Sequence, residues 1–127
     1  MQAAVIVFLG AGIGGVLRHG ANLGCARLCG TAFPWGTLAV NVAGSLAMGL
    51  LVGWLAFRGS EGWTQPLRLF LATGVLGGFT TFSAFSLDTV LLFERGDVLA
   101  ALSYVAASVL VSVLALALGL GVVRGLA

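Results

Sequence analysis

Charge is scarce in this chain, which has no lysine, one histidine, six arginines and four acidic residues, so charged positions make up 8% of its 127 residues. A water-soluble domain carries about 25% charged residues and must wet much of its surface. Hydrophobic residues here reach 60% and the mean hydropathy is +1.14, so the solvent for most side chains is lipid. The same scarcity excludes a nucleic-acid binder, because a net charge of +2 makes no basic patch for phosphates. Disorder is excluded by the apolar content. The two cysteines, Cys25 and Cys29, stand one helical turn apart, and a bridge between them would constrain almost nothing. They read as small apolar fillers, with a metal site the lesser alternative because no histidine or carboxylate lies nearby in sequence. The chain also lacks a Ser/His/Asp or Cys/His set and paired catalytic carboxylates, which points away from an enzyme.

What is present is four apolar stretches of the length a membrane helix needs, about 20 residues. They run over about residues 3–28, 36–57, 67–93 and 98–123. One all-α integral membrane domain over residues 1–127 is therefore expected, with four transmembrane helices. Arg18 and His19 interrupt the first stretch, and Arg58-Gly-Ser-Glu61-Gly closes the second. The third contains Gly74, Gly77 and Gly78 followed by Thr80, Thr81 and Ser83, which predicts a break inside the membrane. Only Glu94-Arg95-Gly96-Asp97 joins it to the fourth, a length that suits an antiparallel helical hairpin. Trp35 and Trp63 fall at expected interfaces. No basic residue precedes the first apolar run, so a cleaved signal peptide is not expected. Continuous apolar runs exclude a membrane β-barrel. Gly10, Gly12 and Gly15 satisfy G-x-G-x-x-G, but no strand precedes them, and close helix contact is the better reading.

The arginines bear on orientation. Four spans put Arg58, Arg68 and Arg124 on one side and Arg18, Arg27 and Arg95 on the other. Orientation follows an excess of Lys and Arg on the cytoplasmic side, so a balanced chain is expected to insert both ways. Copies of opposite orientation can pair antiparallel and make the inverted repeat that many transporters build into one chain.

Polar residues inside spans mark packing contacts or ion pathways. Thr37, Asn41, Ser45, Gly49 and Gly53 recur every four residues along the second span. The glycines suit close helix packing, whereas the Asn41 amide can offer an N–H to an anion. Tyr104, Ser108 and Ser112 form a similar track in the fourth span. Their hydroxyls suit either replacement of water around an ion or back-bonding to the carbonyl four residues earlier. In the third span a break frees backbone carbonyls and amides that need partners, and two breaks meeting at a dimer axis would offer carbonyls to a cation. Phe79, Phe82 and Phe85 follow at i, i+3 and i+6. Each suits a packed or lipid-facing ring, yet ring edges are positive and can stabilise a small anion. Arg18 suits either gathering anions at a pore mouth or snorkelling to headgroups. His19 reads as interfacial, and Asp88 as a partner for nearby hydroxyls or an arginine.

These residues resemble the Fluc (CrcB) family of microbial fluoride channels. The motifs are Gly15-Val-Leu-Arg18, Gly36-Thr-Leu-Ala-Val-Asn41-Val-Ala-Gly44 and Gly77-Gly78-Phe79-Thr80-Thr81-Phe82-Ser83-Ala84-Phe85, and the likeness covers essentially the whole chain. The resemblance implies a dual-topology antiparallel homodimer in a bacterial plasma or inner membrane that passively exports cytoplasmic fluoride and confers fluoride resistance. It implies that Phe82 and Phe85 line the pores, that Asn41 is a pore-facing amide, and that Tyr104, Ser108 and Ser112 form a polar track. Arg18 would stand near a vestibule, and the backbone carbonyls of Gly77 and Thr80 from both subunits would hold a structural sodium ion at the dimer interface. Ala84 stands where the family pattern usually has Thr, and His19 where an aromatic is common. The alternatives are a small dual-topology multidrug exporter, which would need a carboxylate that residues 1–28 lack, and a noncatalytic membrane assembly subunit.

Overall fold

A computed structural model describes residues 1–58 and 61–127 of the chain. Helix α1 runs over Gln2–Cys29 and α2 over Trp35–Ala56. The third span is composite: α3 (Thr64–Arg68), a π-helical stretch (Leu69–Leu76), α4 (Gly77–Phe79) and α5 (Phe82–Glu94) follow one another. Helix α6 covers Val98–Leu126. The described residues contain no strand. Gln2–Cys29, Trp35–Ala56, Thr64–Glu94 and Val98–Leu126 are each long and apolar enough to cross a membrane, the number the sequence predicts. Helix is the natural state here, because lipid offers backbone groups no partners and a helix satisfies them internally.

The connections are tight. Helix α1 stops at Gly30, whose φ of +79° is open to glycine and whose N–H donates to the Ala26 carbonyl. In the α5–α6 hairpin Gly96 has the same φ, and Asp97 caps α6 by accepting from the Ala100 N–H at 3.2 Å. Of the Arg58–Gly62 segment that closes the second span, Gly59 and Ser60 lie outside the described residues. On its flanks, Arg58 stacks over the Trp54 ring at 5.7 Å and pairs with Glu61 at 3.7 Å.

Helices in lipid gain little from hydrophobic association and pack by close approach of small residues. Two such seams organise this bundle, α2 against α6 and α1 against the π-helical stretch and α4. A Cβ on Gly49 would lie 2.2 Å from the Leu116 carbonyl oxygen, and one on Gly119 would lie 2.6 Å from that of Leu46. In the other seam a Cβ on Gly14 would lie 2.0 Å from the Val75 carbonyl oxygen, and one on Gly10 2.5 Å from that of Phe70.

One expectation needs correction. Gly12 and Gly15 do not make helix contacts, since a Cβ on either meets nothing within 4 Å. The close face belongs to Gly10 and Gly14, which share it because they are four residues apart. Arg18 lies inside α1, within the first stretch the sequence marks, and apolar residues on both sides carry the helix through it to Cys29.

Candidate functional site

Between α4 and α5 the backbone leaves helical geometry at Thr80 (φ −82°, ψ 157°) and Thr81 (φ −155°, ψ 119°). Two extended residues at membrane depth expose amides and carbonyls that must find partners. Asn41 on α2 supplies them. Its Oδ1 accepts from the Thr81 N–H at 2.8 Å, and its Nδ2 donates to the Thr81 carbonyl at 2.9 Å. The amide orientation follows from this pairing, since a flipped Asn41 would set donor against donor. Thr81 Oγ1 caps α5 by accepting from the Ala84 N–H at 3.2 Å. Thr80 Oγ1 donates back to the Leu76 carbonyl at 3.0 Å. Because the Thr81 N–H is spent on Asn41, the Gly77 carbonyl lacks its helical donor. Arg18 points here too, its Nη1 reaching 3.5 Å from the Thr80 carbonyl.

A cleft of about 420 Å³ opens beside this segment. Asn41 and Ser45 of α2, Phe82 and Phe85 of α5, and Ser108 and Ser112 of α6 contribute to it, with Met48, Val109, Val113 and Leu116 as apolar wall. The hydroxyls of Ser108 and Ser112 are buried without a hydrogen-bond partner. Back-bonding is therefore not their role, although Ser86 and Thr89 on α5 do bond the carbonyls of Phe82 and Phe85, at 3.0 and 2.8 Å. An unpaired buried hydroxyl costs about 1–3 kcal/mol. Two of them one turn apart in the same cleft make a donor track for a species that enters it.

Tyr104 does not line this cleft. Its side chain is fully buried, and its hydroxyl donates to Asp88 Oδ2 at 3.1 Å, the hydroxyl partnership expected of Asp88. The aromatic series also divides. Phe82 and Phe85 lie 5.3 Å apart at 52°, and Phe85 meets Tyr104 at 5.3 Å and 62°. Phe79 instead packs on Gly44, because the extended residues reset the helical phase between positions 79 and 82. Phe82 remains 76% exposed. His19 is exposed on α1.

The sequence marks Thr81 only as part of the break, not as the cap of α5 or the partner of Asn41, and it does not single out Phe33. An N-cap signal, Thr81 standing three residues before Ala84, was available for the first. Nothing local marks Phe33, which lies in the first connection and packs against Tyr104.

Comparison with known proteins adds a direct finding. The family model described as "CrcB-like protein, Camphor Resistance (CrcB)" matches residues 5–120. The chain is 56% identical over 122 residues to the fluoride-specific ion channel FluC 2 of Nitrobacter hamburgensis, covering 96% of this chain and 97% of that one. It is 56% identical over 124 residues to the fluoride-specific ion channel FluC of Methylobacterium nodulans, covering 98% of both. With that of Beijerinckia indica it shares 55% over 126 residues, 99% of both.

Proposed function

This chain belongs to the CrcB-like protein family, and from that membership and the chemistry of the cleft we propose that it is a fluoride-specific ion channel of a bacterial membrane. It is a multi-pass membrane protein and a channel, not an enzyme. The observation that carries the reading is the pair of buried, unpartnered hydroxyls of Ser108 and Ser112 in a cleft that also holds Asn41, Phe82 and Phe85. Fluoride is a small, strongly hydrated anion. Hydroxyl and amide N–H donors, with positive ring edges, replace its water better than they replace that of the larger chloride. One Asn41 N–H is spent on Thr81, and the amide keeps a second for the cleft.

Direction needs no coupled ion. Fluoride enters cells as neutral HF and dissociates in the more alkaline cytoplasm, and a negative interior drives the anion out with about 2.3 kcal/mol per unit charge per 100 mV. Passive flow through this path thus confers fluoride resistance.

The working unit in this reading is an antiparallel homodimer of two oppositely inserted copies in the inner membrane. Its support is the exposure of Phe82 beside the polar cleft, which a second copy would cover. The arginines agree: Arg27 and Arg95, near the helix ends on one side, stand against Arg58, Arg68 and Arg124 on the other, with Arg18 deeper within α1, a weak bias for insertion. At the dimer axis the Thr80–Thr81 break would present the Gly77 and Thr80 carbonyls. The free Gly77 carbonyl suits a hard cation that takes oxygen ligands, and the same pair from a second copy would complete a sodium shell. A sodium ion so held supplies charge compensation for converging carbonyl dipoles. Arg18 Nη1 lies 3.5 Å from the same Thr80 carbonyl, so in this reading the guanidinium turns away toward a vestibule when a cation takes that oxygen. Tyr104 continues the α6 series of Ser108 and Ser112, but its hydroxyl is committed to Asp88.

The test is fluoride release from liposomes containing the purified protein, read by a fluoride electrode under a potassium potential set with valinomycin, beside chloride-loaded vesicles. Rapid fluoride release with chloride retained is expected. Folded, reconstituted protein that releases no fluoride would overturn the channel.

A further inference from the structure

A second cavity of about 340 Å³ lies at the hairpin end of the bundle, bounded by Thr31 and Pro34 of the first connection and by Asp88, Glu94 and Arg95. Asp88 lines it and Phe85 lines the first cavity, while the Phe85 and Tyr104 rings meet at 5.3 Å. An ion path that joined the two cavities past Phe85 and Asp88 would meet the Phe85–Tyr104 contact as a septum. Asp88 restrains one end of the Tyr104 side chain by accepting its hydroxyl.

The ring face is restrained from elsewhere. Phe33 meets Tyr104 edge-on, with centroids 5.5 Å apart at 75°, and is itself braced by Trp35 at 4.7 Å. The connection that carries Phe33 is pinned at two points, its start and its middle. Gly30 turns the chain out of α1, and Arg95 Nη2 donates to the Ala32 carbonyl at 3.1 Å. The Gly30–Pro34 connection is thus a strap across the hairpin end, with one aromatic side chain aimed inward.

We propose that Phe33 is a positioning residue for conduction: held by this strap against Tyr104, it keeps the Phe85–Tyr104 septum closed to ions larger than fluoride. The inference rests on the channel reading above. Phe33 meets Tyr104, and Tyr104 meets Phe85 of the cleft, so the effect of Phe33 runs through that ring.

Tyr104 is the only tyrosine of the chain, so fluorotyrosine labels this ring alone. The full-length protein is reconstituted as the parent and as Phe33→Ala, Phe33→Leu and Phe33→Trp. Chloride and fluoride release are measured, together with relaxation of the Tyr104 fluorine NMR signal by a water-soluble gadolinium chelate. An edge-to-face pair biases a two-state ring by about fivefold. Phe33→Leu, which keeps apolar volume without a ring, is expected to raise the chloride-to-fluoride release ratio by about that factor and to increase the relaxation, with Phe33→Trp restoring both. Should Phe33→Ala fail to fold, Phe33→Leu decides. Parental selectivity and relaxation in folded Phe33→Leu overturn the proposal. A parent that releases no fluoride overturns the channel reading instead, and the fluorine signal still reports whether Phe33 holds Tyr104.

Discussion

At Asn41 one amide satisfies both backbone groups of Thr81, at 2.8 and 2.9 Å, within a membrane span. Asn41→Leu keeps the branching at Cγ and abandons both groups. With about 1–3 kcal/mol for each group left unpaired, thermal unfolding in detergent is expected to fall well below the parent, and fluoride efflux to be lost with it. Ser108 is the contrary case. Its hydroxyl has no partner to lose, so Ser108→Ala is expected to melt within about 1 kcal/mol of the parent or above it, while fluoride efflux falls. A clearly lower melting point in that variant would mean the hydroxyl holds the fold. The sequence marks both residues as polar in an apolar span. It does not say that one is satisfied and the other is not, because satisfaction depends on which backbone atom of another helix lies opposite.

At the scale of elements, composition and geometry part company within the third span. Glycines and hydroxyl residues disfavour regular helix there, but the chain departs from α geometry in two different ways, a π-helical stretch over Leu69–Leu76 and extended residues at Thr80 and Thr81. A π turn widens the helix and often sits at functional sites. Here it lies along α1, where Gly10 and Gly14 admit its backbone. Gly14→Ala sets a methyl 2.0 Å from the Val75 carbonyl oxygen, which backbone cannot easily vacate. A loss of about 1–3 kcal/mol or more is expected in thermal unfolding. Gly12→Ala meets nothing and removes a helix-interior glycine, so its melting point is expected to stay level or rise by up to about 1 kcal/mol in stability. The six-residue glycine motif does not distinguish these positions. The helix period separates them only once the partner's side is known.

At the scale of the whole molecule, the proposed antiparallel pair requires both orientations, which a weak charge bias permits. Lysines appended after Ala127 tip the balance toward the side of Arg58, Arg68 and Arg124. Tag accessibility in vesicles is expected to shift to one orientation and fluoride efflux to fall severalfold, with co-expression of an oppositely biased chain restoring it. Unchanged efflux from a uniformly oriented population would exclude the antiparallel pair.

Hydropathy is a sum over neighbours in the chain, so the sequence alone determined the lipid solvent, the number of spanning helices and, through its motifs, the family. Partner choice is not such a sum. Where helices touch through glycine and backbone, a shift in register changes every contact. A phase reset of two residues turned Phe79 toward α2 and left Phe82 and Phe85 together. The tertiary structure alone decided that Asn41 clasps Thr81, that Tyr104 turns to Asp88, and that the Ser108 and Ser112 hydroxyls stay unpaired. Each follows from atoms brought together by packing across distances that no local pattern encodes.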